Sequence, residues 1–294
     1  MTSKDNNQPA SAKKGAEAIC SAVKPLSVAE LEITAKKLRR SIVTMIGQAG
    51  SGHPGGSLSG VEIVTTLYFH TMHHQPQDCR WPERDRFILS KGHAAPLLYA
   101  VLAEWGYIPS SELATLRRMD SRLQGHTEWT RVPGIEMSAG ALGQGLSFSI
   151  GAALAARLDN AKHRIYVLLG DGECDEGQVW EAAMAAAHYK LDNLTAIVDN
   201  NGIQLDGWNK DIMSIEPFPQ KWSAFGWHVI EVNGHDFPQL IDAFAQAGET
   251  KGKPTVIIAH TVKGKGVSFM ENNPEFHGKA PTADELKIAL KELE

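Results

Sequence analysis

Residues 165–202 read IYVLLGDGECDEGQVWEAAMAAAHYKLDNLTAIVDNNG. The apolar run Ile165 to Leu169 stops at Gly170, Asp171 and Gly172. The alanine-rich stretch Val179 to Lys190 follows, and a second apolar run, Leu194 to Val198, closes in Asp199, Asn200, Asn201 and Gly202. Short apolar runs without polar alternation are the pattern of strands buried on both faces. With a crossover helix between them, the two strands are expected side by side and parallel.

The pattern continues outward in both directions. Downstream, His228 to Val232 and Thr255 to Ala259 are two further apolar runs separated by the amphipathic stretch Pro238 to Ala247. Upstream, Arg86 to Ser90 reads as a short strand feeding a helix over Leu97 to Trp105. Gly60 to Met72 and Gly143 to Leu158 read as helices. Ser27 with Glu30 has capping-box spacing and opens a helix carrying Leu31, Leu38, Ile42, Val43 and Ile46, expected to stop at Gly50 or Gly52. Thr282 with Glu285 caps a final helix. The fold expected is α/β, a mostly parallel sheet covered by helices on both faces. It occupies one domain over 27–294 behind a flexible tail over 1–26.

Composition narrows the function. The 294 residues carry 29 Lys and Arg against 34 Asp and Glu, a net charge of −5, and 43% are hydrophobic. A mildly acidic chain lacks the basic footprint of a nucleic-acid binder. Its longest apolar runs fall far short of the ~18 residues that cross a bilayer. Cys20, Cys79 and Cys174 form no CxxC pair, which excludes a disulfide framework or zinc ribbon. The first 27 residues have no apolar signal-peptide core. A reducing cytoplasm is the expected location.

In parallel sheets, ligands sit beyond the carboxyl ends of the strands, which places Gly170-Asp171-Gly172 at a candidate site. The glycines allow a tight turn, and the helix that follows, near Gln178, offers free N–H groups to an anion. Gly172 and Gly177 have the spacing of a phosphate loop, but Gln178 and Val179 stand where Lys and Ser or Thr belong. The dinucleotide pattern fails as well, with Cys174 and Asp175 where its third glycine would fall. GDG, 27 residues and then NN instead matches the motif of thiamin-diphosphate enzymes. Its logic is that Mg²⁺ takes hard oxygen ligands and shares them with phosphates. Asp171 offers a carboxylate and Asn201 an amide oxygen.

Around this motif, SGHPGGSLSG at 51–60, DRFILSKGHAAPLLYAVL from 85, QGHTE from 124, AGALGQGLS from 139 and GDGECDEGQVWEA from 170 resemble transketolase throughout, over about residues 28–280. The resemblance is to the N-terminal, diphosphate-binding domain, so the fold it implies is the thiamin-diphosphate-binding fold. It implies thiamin diphosphate and Mg²⁺ as cofactors, with the Ile203 carbonyl completing the metal ligands beside Asp171 and Asn201. His53 and His126 resemble donor-hydroxyl ligands, and His93 and His277 lie by the diphosphate and reacting centre. Gly140, Leu142, Gly170 and Gly172 match positions along the cofactor. Ala141 replaces a Pro common in the family, and Ser138 and Ala139 precede it. That departure bears on the shape of the cofactor pocket. Glu176 and Glu181 resemble acids at the family's subunit interface.

The resemblance further implies the N-terminal subunit of a split transketolase that moves a two-carbon ketol unit from a ketose phosphate to an aldose acceptor. The partner would be a C-terminal subunit carrying the pyrimidine-binding domain, most simply in a heterotetramer of two of each chain. The competing readings are the alpha subunit of a 2-oxo-acid dehydrogenase, a deoxyxylulose-phosphate-synthase-like chain, or a non-catalytic module of the same fold. SGHPGG and QGHTE speak against the first, the EGQVWEA helix against the second, and the intact Asp171, Asn201 and four histidines against the third. His70, His73, His74, His163 and His188 read as structural or surface residues. His73, His74 and Cys79 match no usual zinc spacing. Lys263 and Lys265 in KGKG read as a charged turn.

Overall fold

The structure is a computed structural model that describes residues 24–205 and 207–294. Most of the expected tail, 1–23, lies outside the described residues. Its last residue already belongs to the domain, because the Leu26 N–H donates to Phe69 O at 3.0 Å and Leu26 O meets His70 Nδ1 at 3.0 Å.

The first helix, α1 (Val28–Ala49), starts in the expected reciprocal cap of Ser27 and Glu30 and ends on Gly50 at φ 64°. Next come α2 (Pro54–Ser59), α3 (Val61–Thr66), β1 (Arg86–Leu89), α4 (Ala95–Trp105) and α5 (Gln144–Leu158). The quoted segment forms β2 (Ile165–Gly170), α6 (Gly177–His188) and β3 (Leu194–Asn200). It is followed by the two-residue strands β4 (Ile203–Gln204) and β5 (Gly207–Trp208) and the helices α7 (Asn209–Ile212) and α8 (Phe218–Ala224). The chain closes with β6 (His228–Asn233), α9 (Phe237–Glu249), β7 (Thr255–His260) and α10 (Ala283–Glu292), the last opened by the Thr282–Glu285 capping box.

Five strands form one sheet in the order β1-β2-β3-β7-β6, every neighbouring pair parallel. Alternate residues of each strand enter different cores. Phe87, Tyr166, Leu168, Ile197 and Ile257 pack with α1, α3, α4 and α9 on one face, while Ile88, Val167, Leu169, Val198 and Ile258 pack with α5, α6 and α8 on the other. Burial on both faces is what the near-continuous apolar runs required. Among the described residues, no helix is long and apolar enough to cross a membrane.

One helix departs from the expectation. Instead of a single helix from Gly60 to Met72, helical backbone begins at Pro54, directly after His53, breaks at Gly60 and ends in a π turn over Leu67–Thr71. Pro54 suits a first helical position, having no N–H to leave unpaired. Gly56 permits a close approach that periodicity cannot reveal: a Cβ there would lie 2.9 Å from His93 Nε2. The helix after GDG is likewise preceded by a 3₁₀ turn, Gly172–Asp175.

Candidate active site

The register that pairs Gly170 with Asp199 brings the two loops after β2 and β3 together at the carboxyl edge of the sheet. Asp171 bridges them, with Oδ1 accepting from Gly172 N at 2.8 Å and Oδ2 from Gly202 N at 2.6 Å. Asn201 Oδ1 accepts from Ile203 N at 3.1 Å, and Ile203 O accepts from Lys263 Nζ at 2.8 Å. Asp171, Gly170, Gly172, Asn201, Ile203, Leu142, His93 and His277 line one cavity of about 170 Å³, joined there by Lys91, Glu173 and Lys263. Gly140 is not in that lining. It packs beside Gly92, where a Cβ would lie 3.1 Å from Gly140 N.

The charges around the cavity are arranged by burial. Lys91 and Asp199 are both buried and form an ion pair, and Ser59 and Thr261 also donate to Asp199. Burial alone would raise Asp199, but the Lys91 ammonium and these donors hold it below the usual carboxylate range. Asp171 is different. Among the described residues no cation bonds to it, and burial, reinforced by nearby Asp199, pushes it up to about 6. A buried carboxylate so displaced is suited to receive a cation. One carboxylate, one amide oxygen and one backbone carbonyl form a hard-oxygen set of the kind Mg²⁺ uses when ligand phosphates supply the rest. Lys91 and Lys263 line the same space and suit a polyanion. The residues present therefore fit a magnesium diphosphate. Among the described residues, no group of three His, Cys, Asp or Glu could hold a metal ion, His73, His74 and Cys79 included. His74 is instead engaged by Tyr107 Oη and Tyr68 O, both at 2.8 Å, and His73 by Asp85.

The four motif histidines, far apart in sequence, converge beside the cavity. Ring centroids of His53 lie 5.4 Å from His93, 5.5 Å from His277 and 6.3 Å from His126, with His93 and His277 5.1 Å apart. Burial lowers all four. His53 falls to about 4 with help from Arg117, and His277 to about 3 with help from Lys263. Lys91 adds to the drop at His93 and Arg117 to that at His126. Near neutral pH the cluster is uncharged, so each imidazole has one donor and one acceptor nitrogen.

Four residues at the site are not among those the sequence singles out for it. Lys263 does not sit in a charged surface turn; it is buried, with Nζ on Ile203 O and on His277 Nδ1, both 2.8 Å, while Lys265 pairs with Glu271 nearer the surface. Its position three residues beyond the carboxyl end of β7 is the available signal. Lys91 stands within the KGHA motif, where His93 carries the clearer chemical signal. Buried Glu173 accepts from Ser90 Oγ, Gly143 N and Gly170 N, and so ties three segments together. Arg117 reaches His53. Glu176 and Glu181 are both exposed, on the cap and outer face of α6.

A parallel sheet whose carboxyl edge gathers buried carboxylates, two buried lysines and four uncharged histidines around a small cavity defines an enzyme domain built for a polyanionic cofactor. Residues 32–293 match the family described as "Transketolase, thiamine diphosphate binding domain". An apulose-4-phosphate transketolase subunit of Actinobacillus succinogenes is 48% identical over 91% of this chain and 97% of its own length. The 6-deoxy-6-sulfo-D-fructose transketolase subunit SqwG of Clostridium sp. (strain MSTE9) is 45% identical over 90% and 96%. Human transketolase is 45% identical over 90% of this chain but 42% of its own length. The crystal structure of Campylobacter jejuni transketolase superposes with a TM-score of 0.87 at 34% identity, covering 91% of this chain and 43% of that one. The chain belongs to the transketolase family of thiamine-diphosphate-binding transferases, and it matches the N-terminal chains of split transketolases along nearly their whole length.

Proposed function

We propose that this chain is the diphosphate-binding subunit of a two-chain transketolase that transfers a two-carbon ketol unit from a ketose phosphate to an aldose or aldose phosphate. The observation that carries this reading is the placement of His53, His126, His93 and His277 together against the cavity of Asp171 and Asn201. When bound, thiamin diphosphate supplies the carbanion that such a carbon–carbon cleavage needs. In this chain Asp171, Asn201 and the Ile203 carbonyl would hold Mg²⁺. Gly170, Gly172, His93 and the amides around them would hold the diphosphate, with Gly140 and Leu142 along the cofactor. His53 and His126 would receive substrate hydroxyls, and with His277 they would donate to or accept from the reacting oxygens, work that suits uncharged imidazoles.

The second chain in this reading is a C-terminal subunit with the pyrimidine-binding domain. Support comes from the split relatives and from the exposed apolar rim beside the cavity mouth, where Leu142, Leu205, Trp208, Ile212 and Met213 are all solvent-facing. Two of each chain, located in the cytoplasm, is the simplest assembly. The test is calorimetric titration of thiamin diphosphate with Mg²⁺ into the mixed complex, comparing wild type with Asp171→Ala and Asn201→Ala. Two-carbon transfer is then assayed on a donor panel that includes the sugars named for the two split relatives. Loss of cofactor binding in both variants and transfer by the wild-type complex are expected. Unchanged affinity in both variants would sink the site.

A further inference from the structure

Two of the clustered histidines have a cation behind the ring. Lys263 Nζ lies 2.8 Å from His277 Nδ1, and Arg117 Nη2 lies 3.5 Å from His53 Nδ1. A guanidinium or an ammonium has donors only, so a ring nitrogen facing one must be the acceptor. Both imidazoles then carry their proton on Nε2. The Nε2 edge of His53 faces Gly278, whose missing Cβ would otherwise stand 3.8 Å away.

Arg117 is held for this contact more firmly than a surface arginine. Its guanidinium packs on Gly125, where a Cβ would come within 2.8 Å of Cζ and Nη2, and Gly125 directly precedes His126. Its backbone sits at φ 58°, a region that residues with side chains seldom adopt, pinned by a 2.9 Å bond from its N–H to Leu123 O. Its Nε is buried without a hydrogen-bond partner, and among the described residues no carboxylate pairs with it. The charge is thus directed at the histidines and is not neutralised by a salt bridge.

We propose that Arg117 and Lys263 are paired positioning residues that lock His53 and His277 as neutral Nε2–H tautomers, so that both rings present a donor to the oxygens of the reacting sugar. That a sugar receives these donors rests on the proposed function; the tautomer lock does not. The charged and titratable groups facing His53 are Arg117, His126, His93, His277 and Lys263, and those facing His277 are Lys263, Lys91, His53 and His93. Every one of these is cationic or imidazole, which agrees with the lowered values of both rings. An Nδ1–H tautomer would set a ring N–H donor against the N–H donors of Arg117 or Lys263.

The test uses the full chain labelled with ¹⁵N-histidine, with NMR distinguishing Nδ1 from Nε2 without substrate or partner. Wild-type His53 and His277 are expected as Nε2–H tautomers that stay neutral well below the ordinary 6.5. In Arg117→Met, His53 should become a tautomer mixture and titrate upward from about 4 toward 6.5, while His277 and the affinity for magnesium and inorganic diphosphate stay unchanged. Arg117→Lys should retain the lock. In the mixed complex, the acid limb of kcat/KM should move up in Arg117→Met. Nδ1–H at either ring of the wild type overturns the proposal, as does an unmoved His53 in Arg117→Met. Should that variant fail to fold, the wild-type tautomers decide. A correct tautomer without sugar-phosphate transfer would count against the proposed function alone.

Discussion

Asp171 and Lys91 are two buried charges with opposite circumstances. Asp171 meets no bonded cation among the described residues, and its carboxyl, raised from 3.8 to about 6, favours the protonated form in the fold. The folded state then holds more protons than the unfolded chain between those values. The stability contribution of this group is present below about pH 4 and lost as pH rises through 6, a swing on the order of 3 kcal/mol. Comparing urea unfolding of wild type and Asp171→Asn across pH 4–7 isolates this group from the histidines. The wild type should lose stability relative to Asp171→Asn as pH rises, and Mg²⁺ with diphosphate should reverse the loss above pH 6. A pH-independent difference would refute this. Lys91 and Asp199, by contrast, neutralise each other at full burial. Lys91→Met strands a buried carboxylate and should cost about 3–5 kcal/mol. Adding Asp199→Asn should recover part of that in the same unfolding assay.

Between secondary-structure elements, one side chain fixes how the edge of the sheet meets α5. Glu173 takes the N–H of Gly143, which starts α5 at φ 79°, and the N–H of Gly170 at the end of β2, at 2.8 and 2.9 Å, and it receives Ser90 Oγ from the loop after β1. Leu142 and Gly170, both lining the cavity, are positioned by these bonds. Glu173→Ala leaves two N–H groups without acceptors, each worth about 1–3 kcal/mol. The expected result is faster hydrogen exchange at Gly143 and Gly170, with exchange in α1 unaffected. Undiminished protection at both amides would show that other contacts hold this edge.

At the size of the whole molecule, exposed apolar side chains flank the mouth of the cavity. Leu205 and Met213 beside the mouth are 62% and 59% exposed, apolar surface that a covering partner would bury. The isolated chain should therefore bind thiamin diphosphate weakly and show no transfer. Mixing with the C-terminal subunit should produce both activity and a mass, by light scattering, of two chains of each kind. Full activity from the purified single chain would contradict this.

The sheet and its outer helices could be read from the chain because their signals are local. Apolar runs buried on both faces specify parallel strands, and Ser27–Glu30 and Thr282–Glu285 each form a reciprocal cap within four residues. The motif segments could be ordered along the chain for the same reason, and Asp171 and Asn201 follow strand ends that the pattern locates. The helix beginning at Pro54 could not, because its glycines are explained by what packs on them, including His93 nearly forty residues later. Lys263 belongs to this second kind: the same KGKG could lie on the surface, and its burial against Ile203 and His277 exists only once β3, β7 and the loop before α10 are assembled. Arg117 is hidden for the same reason, since nothing in its neighbours signals contact with a histidine 64 positions upstream. Local periodicity and capping act over a few residues and are written in order along the chain. The charges that set the states of the histidines act through space at about 3 to 6 Å, and folding alone brings them within that range.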